Sequence, residues 1–366
     1  MSIKVGIFLL VGLSVVAALI GLTVVSEPVE TIAQKWEDSS HANEASEAFT
    51  HWDRNVPALI PESCAKCHST LGFRDFLGVD GTQARQVDQQ AQTGTVIYCA
   101  ACHNPEAHNM TTVRFPSGAE IGDLAPAAVC MQCHQGRRST EDVEDAIGAL
   151  EPDAISRDLI LVNVHYYIAA ATWLGGEVRG GYQYHDQAYA GRFEHVPDLQ
   201  SCVECHDPHS QNVPYEACSP CHVTVAAPGD LQTIRTSEKD YDGDGDVDEG
   251  LYGEIQTAQE KLYAAMQTYA SEVATPVIYA DRFPYYFIDD NGNGKADSDE
   301  IDTDNGYSTW TPRLLRAAYN YHFSLQDPGN YAHNGRYILQ LLHDSLNDLA
   351  QRISVDMEEL VRPASD

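Results

Sequence analysis

"CVECHDPHSQNVPYEACSPCH", residues 202–222, places four cysteines and three histidines in 21 positions. Disulfides, zinc and a covalently attached porphyrin would each use some of those residues, and the whole chain decides between them. All ten cysteines fall into CxxC pairs: Cys64/Cys67, Cys99/Cys102, Cys130/Cys133, Cys202/Cys205 and Cys218/Cys221. A histidine follows each pair at once: His68, His103, His134, His206 and His222. With 15 histidines in 366 residues, five such neighbours by accident have a probability on the order of one in ten million. A zinc ribbon needs the cysteine pairs but not the histidine, and a disulfide framework has no use for it either. Covalent haem uses every part. The thiols add to the vinyl groups, and the adjacent imidazole reaches the iron from the same side. The ten cysteines are therefore read as attachment points for five haem c groups, with the five box histidines as proximal ligands.

Ten histidines remain for the other face of each iron. Methionine is scarce: of five, Met1 is terminal and Met131 lies inside a box. Bis-histidine ligation is the economical expectation, and it gives low-spin iron suited to passing electrons. His209 comes three residues after His206, with Pro208 between them. So short a link cannot pass around its own porphyrin, so His209 is expected on a neighbouring haem. Cys202 comes 68 positions after His134, and a gap that long can loop back with ligands. His165 lies there among apolar residues, in a stretch (159–174) expected to be a buried helix. A bare imidazole in that setting is costly. His195 comes just before the fourth box, and His333 sits at an expected helix start. In the lead-in, His41 and His51 are ten apart, close to three helical turns, so both are expected on one helix face.

The compartment follows from the amino terminus. An apolar run from Val5 to Val25 is 21 residues long, enough to span a bilayer core and longer than a usual signal core. It is read as an uncleaved anchor in preference to a removed signal, with the bulk of the protein outside the cytoplasmic membrane. The chain carries 22 basic against 54 acidic residues, a net charge of −32. That argues against nucleic acid and anionic membrane surfaces as partners.

After residue 230 the cysteines stop and two acidic loops appear. In "DDNGNGKADSDE", residues 289–300, Asp289, Asn291, Asn293, Lys295, Asp297 and Glu300 take the ligand positions of a twelve-residue calcium loop, with Gly294 at the turn. In the loop that begins at Asp240, the candidates are Asp240, Asp242, Asp244, Asp246 and Asp248. Its twelfth position is Leu251, so a bidentate glutamate must come from Glu249 or be absent. One or two calcium ions are expected, in a structural role. The intervening segment and the last 55 residues read as amphipathic helices. The expected organisation is a signal or anchor at 1–30, a five-box haem domain at 31–225, a helical segment with the acidic loops at 226–310, and carboxy-terminal helices at 311–366.

The five boxes, the lead-in "SSHANEASEAFTHWDRNVPALIPESCAKCHST" and the texture of "CMQCHQGRRS", "NVHYYIAAAT", "GRFEHV" and "DPGNYAHN" resemble exported multihaem c-type cytochromes of microbial electron transfer. The resemblance implies a mainly α fold with much irregular chain wrapped around haems. It favours His41, His51, His165, His195, His209 and His333 as distal ligands. That is six candidates for five irons, so one is surplus or serves a haem in another subunit of a self-assembled haem chain. Redox proteins are the other expected partners. The competing reading is a reductase or oxidase of a small nitrogen or sulfur compound with one five-coordinate haem. Pentahaem nitrite reductases use a CxxCK box for that haem, and this chain has none.

Overall fold

The computed structural model describes residues 28–365. The apolar run at 5–25, and the anchor expected there, lie outside them. Among the described residues no helix is long and apolar enough to cross a membrane.

The chain before residue 230 consists of short turns joined by irregular segments, because each CxxCH box closes its own helical turn. In boxes two to five the histidine N–H donates to the carbonyl of the first cysteine at 2.8–3.1 Å. Box one does the same inside the helix Glu62–His68. One such turn puts residues three and four apart on one face. Both thiols and the imidazole of a box therefore look the same way. Antiparallel two-residue ladders pin the segments that flank the first three boxes: Leu59–Ile60 on Ala91–Gln92, and Val113–Arg114 on Glu120–Ile121.

The remainder is helical and carries most of the apolar core. The helix Leu251–Val273 buries Ile255, Ala258, Leu262, Met266 and Tyr269, a stripe of spacing three and four. It packs on the helices Pro312–Leu325 and Asn330–Leu349. The middle one starts cleanly, since the Thr311 hydroxyl accepts from the Leu314 N–H and Pro312 opens the first turn. Such a cap contributes about 1 kcal/mol. The same core extends from Val113 to Ile353, so the helices and the chain around box three fold as one unit. A third short ladder, Val277–Tyr279 on Tyr286–Ile288, leads into the second acidic loop.

Two expectations are corrected. The stretch 159–174 is helical only over Ala169–Leu174. His165 and Tyr167 have φ of +78° and +53°, which a right-handed helix does not admit. The lead-in is also not one helix. It forms Val29–Glu37, a 3-10 turn Ser40–Ala42 and a single turn Glu47–Thr50, so His41 and His51 do not share a face.

Candidate functional site

All ten cysteines line one cavity of about 2900 Å³, several times the roughly 300–1,000 Å³ of a single small-molecule site. Each box histidine there faces one other imidazole. The pairs are His68 with His165, His103 with His209, His134 with His41, His206 with His333 and His222 with His195. Their ring centroids are 5.9, 6.1, 6.3, 6.2 and 6.1 Å apart, respectively. Two metal–imidazole bonds of roughly 2 Å, plus half a ring at each end, give roughly 6 Å. The gaps therefore fit one iron between each pair, and the thiols beside each box histidine fit the porphyrin edge.

Several rings are aimed by a bond at the other nitrogen. Nδ1 of His68, His134 and His206 donates to the carbonyls of Ala48, Tyr167 and Gln211 at 2.8, 3.0 and 3.0 Å. This leaves Nε2 for the facing ring, the usual way a second partner fixes a metal-binding imidazole. The opposite rings are held by local chain geometry. His41 sits on the 3-10 turn, whose carbonyl accepts from Ile97 N–H at 3.1 Å. His165 owes its left-handed backbone to an Asn163 side chain that accepts its N–H at 2.8 Å. His209 is turned by Asp207, which accepts its N–H at 3.0 Å and is itself gripped by Lys35 at 2.8 Å. His195 follows a reciprocal Trp173–Phe193 pair of bonds. His333 precedes a break in its helix at Asn334 (φ −169°, ψ 71°). The Asn334 amide bonds to Gly191 O at 2.9 Å, and its carbonyl oxygen accepts from Tyr337 N–H at 3.1 Å.

The electrostatics suit metal binding, which needs neutral imidazole. Burial and the facing His134 bring His41 down to about 4. Burial, His68 and Arg137 do the same to His165. Burial also lowers His68, His134 and His195. His333 differs: burial pulls it down, but the charge and hydrogen bond of Asp327 outweigh that and hold it above its ordinary value. Both Asp327 oxygens lie 2.9 Å from His333 Nδ1, and Asp327 is buried. The sequence reading missed Asp327; its only signal is its place six residues before His333 in "DPGNYAH".

His51 is the surplus candidate. Its side chain is 61% exposed and 3.7 Å from Glu47, and its ring packs edge-on to Trp52. Among the described residues no box histidine faces it. The fully buried His322 bonds Asn163 at 3.2 Å and lies outside the cavity wall.

The boxes also touch one another. Cys67 Sγ lies 3.9 Å from Gln132 O and Cys133 Sγ lies 3.9 Å from Lys66 O, so boxes one and three cross reciprocally. The thiols of Cys130 and Cys202 are neighbours, which brings box three to box four. Cys102 neighbours Cys130, and Cys205 neighbours Cys218. The spatial order is one, three, four, five, with box two against box three.

In the second acidic loop, Asp289 accepts N–H bonds from Gly292 and Gly294, and Glu300 from Asp290 and Asn291. Lys295 N–H is bonded to Asn293 Oδ1, and Asp297 takes the side-chain amides of Asn291 and Asn293. In the first loop, carboxylate oxygens of Asp240, Asp242 and Asp244 lie within 4.8 Å of one another. Exposed Asp246 and Asp248 sit outside that group, with Asp248 N–H on Asp246 Oδ1. Burial and neighbouring carboxylates push Asp242 up to about 6 and Glu249 up to about 7.

Comparison with known proteins points the same way. The family model "Cytochrome c7 and related cytochrome c" matches residues 48–135, which hold boxes one to three. The C-type polyheme cytochrome OmcB of Geobacter sulfurreducens is 27% identical over 358 residues, covering 82% of this chain and 45% of the relative. The C-type polyheme cytochrome OmcC of the same species is 27% identical over 340 residues, covering 78% and 42%. The chain thus spans a little under half the length of these relatives. No solved structure matches it significantly. The boxes, the paired imidazoles around a shared cavity and these matches together support a multihaem c-type cytochrome.

Proposed function

We propose that this chain transfers electrons outside the cytoplasmic membrane through five haem c groups, each held between a box histidine and a distal histidine. The distal set is His165, His209, His41, His333 and His195, for boxes one to five in order. The single observation that carries this reading is the facing of all five box histidines by a second imidazole at about 6 Å. When bound, such a group supplies a one-electron couple at low-spin iron and no open position for substrate. The protein's part is to fix both imidazoles, exclude water from the cavity and keep the boxes in contact. A reductase or oxidase needs one box histidine without a facing ring, and five pairs over five boxes leave none. Export is supported by covalent haem attachment and the apolar run at 5–25, with redox proteins or further copies of the chain as partners. Calcium in the acidic loops would fasten the helical half.

Intact mass of the purified protein tests the count, and the expected result is five haems per chain. His209→Ala should then keep five haems and turn one of them high-spin. Fewer than five haems, or an unchanged spectrum in the variant, contradicts the proposal.

A further inference from the structure

The first acidic loop lacks a glutamate at its twelfth position, yet its backbone is organised like the second loop. Asp240 accepts from Gly243 and Gly245 N–H, as Asp289 does from Gly292 and Gly294. Asp242 Oδ1 accepts from Asp244 N–H at 3.0 Å and Asp244 Oδ1 from Asp246 N–H at 2.7 Å. Asn291 and Asn293 repeat those two bonds at 2.9 and 2.7 Å. The correspondence extends to the loop-closing glutamate. Glu300 accepts from the N–H groups of loop residues two and three, at 2.8 and 3.1 Å. In the first loop the N–H groups of Tyr241 and Asp242 donate to Glu254, at 2.8 and 3.0 Å. Glu254 lies on the first turn of the helix Leu251–Val273, three positions later than the loop pattern anticipates.

The independent sign of a ligand is an unsatisfied oxygen. Asp242 is fully buried and its Oδ2 has no hydrogen-bond partner. It belongs to a group with Glu249 and Glu254 whose oxygens lie within 4.8 Å of one another. Glu249 Oε1 is likewise buried without a partner. Leaving such oxygens unpaired is costly, and more so for charged groups. Arg235 contacts Glu254, and Lys261 donates to the Asp242 carbonyl. Two cations against five carboxylates leave the cluster strongly negative.

We propose that Asp240, Asp242, Asp244, Glu249 and Glu254 form a calcium site in which Glu254, a residue of the helix and not of the loop, is the closing ligand. A hard cation with several oxygen ligands and flexible geometry suits this set. The proposal rests on the reading of the acidic loops as calcium loops and gives this one its missing ligand. It also has a consequence for the haem cavity. Tyr241 and Leu251 line that cavity, and Leu251 packs against Gly335, two residues beyond His333; a Cβ on Gly335 would lie 2.4 Å from its Cδ2. Calcium would thereby tie the cavity wall beside His333 to the helix.

Calorimetric titration of calcium into the calcium-stripped full-length haem protein tests this, on the native protein, Glu254→Gln, Glu300→Gln and Asp242→Asn. Two binding events are expected in the native protein. Glu254→Gln should weaken one by more than about tenfold and leave the other, and Glu300→Gln should do the converse. If Asp242→Asn loses a site that Glu254→Gln keeps, the loop binds calcium and the assignment of Glu254 is wrong. If neither changes native binding, the reading of the first loop itself fails. Haem absorbance of the same samples reports folding and haem content independently of either result.

Discussion

His333 and Asp327 are the pair in which a single atom's environment has the clearest functional reading. Three box histidines donate Nδ1–H to a neutral carbonyl, whereas His333 faces a buried carboxylate at 2.9 Å. A carboxylate partner makes an imidazole a stronger donor to ferric iron, and its charge opposes reduction. Asp327→Asn is therefore expected to raise the midpoint potential of one haem by tens of millivolts and leave four in place, as read by spectroelectrochemical titration. An unmoved set of potentials would show that Asp327 only packs. At this scale the sequence was informative for chemistry and weaker for geometry. The boxes were legible because cysteine and histidine spacing is the chemistry itself. His165, His195, His209 and His333 could be singled out by their settings, and each now faces a box. His51 was singled out with His41 because ten residues equal three helical turns, but the helix carrying that argument ends at Glu37.

Elements in the carboxy-terminal half were easier to read than those around the boxes. The helices Leu251–Val273, Pro312–Leu325 and Asn330–Leu349 follow from stripes of apolar residues with a cap or a proline at the right place. The stretch 159–168 has an equally apolar composition but is irregular, because its backbone is spent on turning His165 and Tyr167 towards boxes one and three. No propensity records that demand. A tether in the same half gives a stability prediction. Arg362, in the tail, pairs with buried Asp344 of the last helix at 2.8 and 2.9 Å. Burial raises the Asp344 carboxyl, but hydrogen bonds from His343 and Arg362 outweigh it and hold it below its ordinary value. A depressed folded value means that the tether stabilises fully above the unfolded range, roughly pH 4, and fades as pH falls through the folded value. Arg362→Ala should cost about 3 kcal/mol at neutral pH and progressively less below about pH 4, measured by chemical denaturation. A pH-independent difference would contradict the ion-pair account.

On the scale of the molecule, the cavity and the order of the boxes were not legible. Cys67 and Cys133 meet across a separation that no local pattern encodes, and Cys130 reaches Cys202 over the long box-free segment. What brings them together is the core that joins the chain around box three to the late helices. The result is a continuous file of boxes one, three, four and five, flanked by box two, in a chain of net charge −32. The central claim is that every iron in this file has two imidazole ligands. Low-temperature EPR of the fully oxidised protein, integrated against total iron, tests it most directly. The account predicts five low-spin bis-histidine irons per chain and no high-spin signal. One high-spin iron per chain that shifts on adding nitrite or hydroxylamine would contradict it and mark the protein as an enzyme.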